Sequence, residues 1–247
     1  MRMRNLLTLN IKKMLILGFA AAVVLPVGIL GYLAITKSQA ALEAEAYAKL
    51  ITAANLKRND VNSYLKNRMR DAHILAVTPT TIRAVQEFST AFNGGVTDST
   101  RGLVEASEEK GINSPTYRAQ MEARKGDDEF YTEYVERTDF ANVFLINTEG
   151  TIVYTVTKGK DLGENVNGPL LSGTSLKKVY DVATSEDRPA IADISYYAPA
   201  DTNALLLACP IKKDGKLVGT IALSLDTEKI SEKMLAATGV GETAQTS

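Results

Sequence analysis

The strongest pattern along the chain is an apolar run at residues 14–35, which carries no charged side chain over its 22 positions. Because an α-helix rises about 1.5 Å per residue, a run of this length spans the hydrocarbon core of a bilayer, about 30 Å. We therefore predict a transmembrane helix. The alternative is a cleaved signal peptide, whose apolar core is typically shorter, about 7–15 residues. Under either interpretation the rest of the chain leaves the cytoplasm.

Charged residues on both sides of this run predict its orientation. Four basic residues precede it within residues 1–13, whereas Lys37, Glu43 and Glu45 follow it. The positive-inside rule then predicts a cytoplasmic N-terminus and places everything after Ile35 outside. No later apolar run reaches the roughly 18 residues that a second span needs. We expect a protein that crosses the inner (cell) membrane once and has the lipid bilayer as a partner. The chain after Ile35 is then expected to be periplasmic or extracellular.

A long helix is predicted next, because residues 38–77 contain no Gly or Pro and are rich in strong helix formers. Six of its residues follow spacings of 7, 4 and 3, and all but the arginine are apolar: Ala54, Val61, Leu65, Arg68, Ala72 and Leu75. This stripe resembles a coiled-coil seam and predicts a homodimer through the 38–77 helix. A second helix is expected to begin at Thr78-Pro79, so that residues 36–92 form a helical stalk.

The remainder, residues 93–237, alternates between helix and strand patterns. Five segments are β-branched and apolar: residues 142–147, 151–157, 190–195, 205–211 and 217–225. Gly150 and Asp214-Gly215 are turn residues that predict two antiparallel hairpins. Helices are expected at 173–183 and after Asp226. The order predicts an α+β fold in which helices pack on an antiparallel sheet of about five strands.

The last predicted strand has two unlike faces. One face carries large apolar residues, as a core wall would, and the other carries small or partly polar ones such as Thr220, Ala222 and Ser224. The second face suits the floor of a ligand pocket. It is also what a more exposed face of a sheet would look like, and the pattern alone leaves both interpretations open.

Composition narrows the possible functions. The 28 basic and 29 acidic residues nearly cancel, which does not favour nucleic-acid binding. A single cysteine and a single histidine leave no set of thiolate or imidazole ligands for zinc. The sequence contains neither a phosphate-binding P-loop nor a dinucleotide-binding glycine motif. We expect a protein that is not an enzyme and that uses no cofactor and no metal.

Three segments carry a resemblance to a known family: residues 140–166 (FANVFLINTEGTIVYTVTKGKDLGENV), 196–230 (YYAPADTNALLLACPIKKDGKLVGTIALSLDTEKI) and 238–247 (TGVGETAQTS). With the N-terminal anchor and the long helix, they resemble the extracytoplasmic double Cache (PAS-like) sensor region of bacterial methyl-accepting chemotaxis proteins. The resemblance covers about residues 10–247. Similar regions occur in some membrane-bound histidine kinases and nucleotide cyclases.

This resemblance implies a PAS-like module that senses a small-molecule ligand in chemotaxis. It also implies that residues 238–247 begin a linker to a second module, so that the chain corresponds to a receptor truncated before its output domain. Alternatives are the sensor region of a histidine kinase or cyclase, and a truncated interaction protein that pairs with full-length receptors.

In one subgroup of these sensors an aspartate of the last strand binds the amino group of an amino acid. The matching position here is Ala222, and the Trp of the same subgroup's motif has no counterpart, so the resemblance argues against the usual amino-acid ligand. The candidate ligand-binding residues are Tyr154, Asp193, Tyr196, Tyr197, Thr220 and Ser224. For each of them a packing or surface role is the alternative.

Overall fold

The computed structural model describes residues 11–236. The predicted linker at 238–247 and most of the predicted cytoplasmic segment 1–13 lie outside the described residues. Contacts divide the chain into two compact units, the first ending at Asp60 and the second beginning at Val61.

The first unit consists, as far as it is described, of the N-terminal part of helix α1, Ile11–Ala76. Its apolar side chains face outward, and even Phe19 is 73% exposed. Among the described residues, α1 is the one helix that is long and apolar enough to cross a membrane. A helix with apolar side chains on all sides suits a hydrocarbon environment, because water would solvate that surface poorly.

Within the described residues, the second unit contains the rest of α1, five further α-helices, one 3-10 helix (Ala198–Ala200) and six strands. The other helices are α2 (Pro79–Phe92), α3 (Pro115–Ala123), α4 (Lys125–Glu136), α5 (Ser175–Ser185) and α6 (Thr227–Ala236). The strands are β1 (Phe140–Ile146), β2 (Ile152–Thr155), β3 (Ala190–Ile191), β4 (Ser195–Tyr197), β5 (Thr202–Lys213) and β6 (Lys216–Asp226). The predicted helix start at Thr78-Pro79 is confirmed, since the Thr78 hydroxyl accepts a hydrogen bond from the Thr81 amide at 3.2 Å.

The sheet is antiparallel throughout, with the strand order β2-β1-β6-β5-β3, and β4 also pairs with β5. The α+β prediction is confirmed. The predicted fifth strand at 190–195 is instead divided into β3 and β4, because the chain leaves the edge of β5 between them. Both residues of the Asp214-Gly215 turn have positive φ, 51° and 76°, as a type I′ hairpin requires.

Two apolar layers cover the two faces of the sheet. The first layer joins the C-terminal part of α1 and helix α2 to residues such as Leu223 of β6. The second layer joins α5 to residues such as Phe144 and Ala222. Successive residues of β6 therefore enter opposite layers. The interpretation of its second face as a more exposed one is wrong, because Thr220, Ala222 and Ser224 are buried.

The C-terminal part of the predicted coiled-coil stripe packs on the sheet of its own chain, whereas Ala54 is exposed in the first unit. Ala72 and Leu75 are buried in the first layer, and Leu65 packs against it. The part of the predicted stalk that begins at Val61 thus belongs to the same unit as the sheet. The homodimer stays a prediction, but these three side chains already have a partner surface within the chain.

Gly219 of β6 provides a test of how closely α2 approaches the sheet. A Cβ atom at this position would lie 2.6 Å from Cγ2 of Val85 and 2.7 Å from the backbone oxygen of Ile146. Because that oxygen belongs to the adjacent strand, Gly219→Ala should destabilise the fold by about 1–3 kcal/mol. Thermal unfolding of the full chain in detergent measures the loss. Gly173→Ala is the matched control, since a Cβ there meets nothing within 4 Å. Equal melting temperatures for the two variants would contradict this packing.

Candidate ligand-binding site

A cavity of about 440 Å³ lies where strand β1 begins and strand β6 ends. Asn142 and Phe144 of β1 and Ser224 of β6 line it from the sheet. Asp161, in the segment after β2, and Tyr197, the last residue of β4, line it as well. A volume of this size is within the range of small-molecule sites, about 300–1,000 Å³.

The most unusual group in the cavity is the carboxylate of Asp161, whose residue is only 3% exposed. Its Oδ2 accepts a hydrogen bond of 2.9 Å from the hydroxyl of the buried Tyr197. Its Oδ1 is buried and has no partner of good hydrogen-bond geometry among the described residues, although the backbone amides of Asp161 and Leu162 lie near the carboxylate. Such an atom costs free energy unless another group satisfies it, because it has lost its water.

Burial sets the protonation behaviour of this pair. It raises the pKa of Asp161, and the Tyr197 hydroxyl and the nearby amides of Asp161 and Leu162 offset only part of that effect. Burial also raises the pKa of Tyr197, and the neighbouring carboxylate raises it further. Tyr197 therefore keeps its proton at neutral pH and donates a hydrogen bond to Asp161, whereas burial disfavours the charged form of Asp161.

The wall between β2 and Asp161 is fixed by side-chain hydrogen bonds. Asn142 Oδ1 accepts from the amides of Val156 and Thr157 at 3.0 and 3.2 Å, and its Nδ2 donates to the Thr157 hydroxyl at 2.9 Å. Lys158 has a φ of 51°, and its amide donates to Thr155 Oγ1 at 2.8 Å. These bonds continue the contacts between the two chain segments beyond the end of β2, where the amide of Val156 also donates to the backbone oxygen of Val143 at 3.2 Å.

Two of the six candidate residues line this cavity. Tyr197 contributes its hydroxyl and packs its ring edge-on against Phe144, with 6.2 Å between the centroids. Ser224 lies on the face of β6 that the sequence predicts to be the floor of the pocket. Their role in binding stays a prediction, but the fold brings them together as a shared site requires.

Tyr154 and Thr220 lie elsewhere. Tyr154 is buried in the first layer, and its hydroxyl donates to Asp128 Oδ1 at 2.6 Å. Lys158 Nζ lies 3.7 Å from the centroid of the Tyr154 ring. Tyr154 therefore belongs to a polar cluster with Asp128 and Lys158, on the opposite face of the sheet from Phe144. Thr220 is fully buried, and its hydroxyl has no hydrogen-bond partner among the described residues. Neither residue lines the cavity.

Asp193 and Tyr196 are also separate from it. Asp193 is exposed and lines a smaller cavity of about 270 Å³ between α5 and strand β3. Tyr196 is 59% exposed, and its hydroxyl donates to Asp201. Because side chains alternate along a strand, the neighbouring residue Tyr197 points inward where Tyr196 points to solvent.

Sequence reasoning missed Asp161 and Asn142. Asp161 sits in a polar loop, where an aspartate is ordinarily solvated, and no pattern in the sequence indicates its burial. Asn142 did carry a signal, because an amide in the apolar start of a strand needs hydrogen-bond partners when buried.

The fold is similar to solved ligand-binding sensor domains. The ligand-binding domain of the amino acid chemoreceptor PctC of Pseudomonas aeruginosa PAO1, in complex with GABA, is 16% identical over 76% of this chain and 64% of that one, with a TM-score of 0.39. The ligand-binding domain of the Pseudomonas fluorescens chemoreceptor CtaA, in complex with L-isoleucine, is 16% identical over 74% and 57%, with a TM-score of 0.40. The sensor domain of the Vibrio cholerae histidine kinase DctB is 12% identical over 71% and 58%, with a TM-score of 0.37.

The structural neighbours are thus sensor domains of chemoreceptors and of a histidine kinase, as the resemblance predicts. The chain spans 57–64% of the length of the three described above. No family model and no curated protein sequence matches it.

The buried carboxylate predicts a pH-dependent gain in stability for Asp161→Asn. A carboxyl whose pKa is raised by folding binds its proton more tightly in the folded state, so its ionisation destabilises the fold as the pH rises above about 4, its pKa in the unfolded chain. The asparagine keeps the acceptor for Tyr197 and carries no charge. We expect the melting temperature at neutral pH to rise by about 2–4 °C.

Thermal unfolding across a pH series measures this effect. The difference between the variant and the original chain should shrink as the pH falls towards the unfolded-state pKa. Asp193→Asn is the control, because Asp193 is exposed and should show no such change. A lower melting temperature for Asp161→Asn at every pH would show that Asp161 stabilises the fold instead.

Proposed function

We propose that this chain is the extracytoplasmic ligand-sensing region of a membrane chemoreceptor and that the cavity at Asp161 and Tyr197 is its ligand site. The observation that carries the proposal is the buried Oδ1 of Asp161, which lacks a partner among the described residues of a cavity of ligand size. A carboxylate in such a place supports binding, because a ligand that donates a hydrogen bond to it would satisfy it.

The position of the cavity supports a sensing role in particular. Asp226 lines the cavity, and its amide donates to the backbone oxygen of Asp139 at 3.0 Å. The carboxylate of Asp139 accepts a 3.2 Å hydrogen bond from Tyr64 and lies 3.7 Å from Arg68, both on α1. Asp139 thus contacts Asp226 through its backbone and helix α1 through its carboxylate. A ligand that moves the end of β6 would therefore move Asp139 and change the contacts that Asp139 makes with α1.

The membrane part of the proposal rests on α1 and on the charges around it. The apolar, outward-facing run at 14–35 supports a bilayer span, and the basic residues before it support a cytoplasmic N-terminus. The homodimer belongs to the same proposal. The choice of a chemoreceptor over a histidine kinase or cyclase rests on the sequence resemblance.

Filling the cavity tests the ligand site. We expect a metabolite screen on the full chain in detergent, read by thermal shift and calorimetry, to yield binders that Ser224→Leu abolishes, because the larger side chain would occupy the floor. Thr220→Val is the matched control on the same strand: it removes a buried hydroxyl away from the cavity and should leave binding unchanged. Binding that survives Ser224→Leu, or an intact fold that binds no compound, would overturn the proposed site.

Reporter fusions test the topology. Alkaline phosphatase fused after Ser247 should be active, since it needs an oxidising compartment, and a fluorescent protein that matures only in the cytosol should be dark at the same position. The opposite pair of results would place the sheet in the cytoplasm and would refute an extracytoplasmic sensor.

A further inference from the structure

The charged side chains that line the cavity, among the described residues, are all acidic. Its lining includes the carboxylates of Asp161, Asp226 and Glu228 and, within the part of the chain that the structure describes, no lysine, arginine or histidine. A ligand that carries a carboxylate or phosphate would therefore meet three acids and no basic partner. A ligand that carries a positive charge would relieve their repulsion.

The three acids differ in how far they are already satisfied. Asp226 caps helix α6, because its Oδ1 accepts from the amides of Glu228 and Lys229 at 3.0 and 3.3 Å, and Lys229 Nζ lies 4.0 Å from its Oδ2. Glu228 is exposed at the rim. Asp161 is buried, and no ion pair to it occurs among the residues described. Of the three carboxylates, that of Asp161 would therefore gain most from a positively charged partner.

We propose that the cavity binds a small organic cation, an alkylammonium compound without a carboxylate, whose ammonium group donates to Oδ1 of Asp161. This inference rests on the proposed function and specifies the ligand of that site. Three features fit the two ends of such a molecule. Its charge would pair with Asp161, its N–H groups would satisfy the free oxygen, and its alkyl chain would lie against Phe144 and the ring of Tyr197.

Other ligand classes fit the cavity less well. A zwitterionic amino acid would bring its carboxylate beside three acids, and no lysine, arginine or histidine of the described lining would pair with it. A metal ion is disfavoured as well, since no group of three or more His, Cys, Asp or Glu among the described residues is placed to hold one.

Calorimetry of the full chain in detergent with four small probes tests the inference. Butylamine carries the ammonium alone, 4-aminobutyrate carries both charges, butyrate carries the carboxylate alone, and tetramethylammonium carries a charge without N–H donors. We expect butylamine to bind, 4-aminobutyrate to bind about tenfold more weakly or worse, and butyrate not to bind. Tetramethylammonium should bind more weakly than butylamine, because it cannot donate to Oδ1.

Asp161→Asn should weaken butylamine binding about tenfold or more, because the amide cannot pair with the charge. Asp193→Asn, on the smaller cavity, should leave binding unchanged. A thermal melt of each variant establishes that it is folded. The pH supplies a second measurement on the original chain: since burial raises the pKa of Asp161, butylamine should bind more tightly as the pH rises through that pKa.

The outcomes separate this inference from the proposed function. Tighter binding of 4-aminobutyrate or butyrate than of butylamine, abolished by Ser224→Leu, would refute the cationic ligand and leave the sensor site standing. Butylamine binding that is equal in Asp161→Asn would refute the assigned carboxylate. If neither these probes nor any metabolite binds the folded chain, both the inference and the proposed function fail.

Discussion

From Thr220 to Leu225, strand β6 is paired along both edges and buried on both faces, and the arrangement of the second unit follows from that position. Leu223 pairs with Val143 of β1 on one side and with Leu207 of β5 on the other. A strand with no free edge and no free face requires an apolar layer above and below it, so helices are needed on both faces. Its last residues are then fixed beside the start of β1, where the cavity forms.

The cavity combines a rigid wall with one costly group. Asn142 uses its amide to fix the segment that leads to Asp161, and Tyr197 fixes one oxygen of the carboxylate. The other oxygen remains buried and unsatisfied by the described residues. Groups of this kind collect at functional sites, since a fold tolerates them when a bound molecule recovers the cost.

The turns and strands were predictable from sequence wherever local sterics decide. Asp214-Gly215 adopts positive φ at both positions, and Gly150 does so at the other hairpin, because few other residues enter that region at low cost. The division of the edge strand after Ile191 was not predictable, because an apolar pattern does not show where pairing stops.

The candidate site was only partly predictable, because burial depends on the whole fold. Thr220 and Ser224 lie on the same face of β6, yet only Ser224 lines the cavity, because Thr220 lies farther from the end of the strand where the cavity forms. Tyr196 and Tyr197 are adjacent and differ only in which side of the chain they occupy. Asp161 gave no signal, because its hydrogen-bond partner Tyr197 lies 36 positions away in the sequence.

The contacts of Asp139 also have a consequence for any larger receptor. This residue accepts from Asp226 at the cavity and from Tyr64 on the helix, so both elements share one anchor. Thermodynamic linkage is reciprocal. If a ligand in the cavity changes the contacts of the helix, then a change of those contacts from the other end alters the affinity for that ligand to the same extent. If the cavity binds its ligand as proposed, an attached output region would thereby set the concentration range over which the receptor responds.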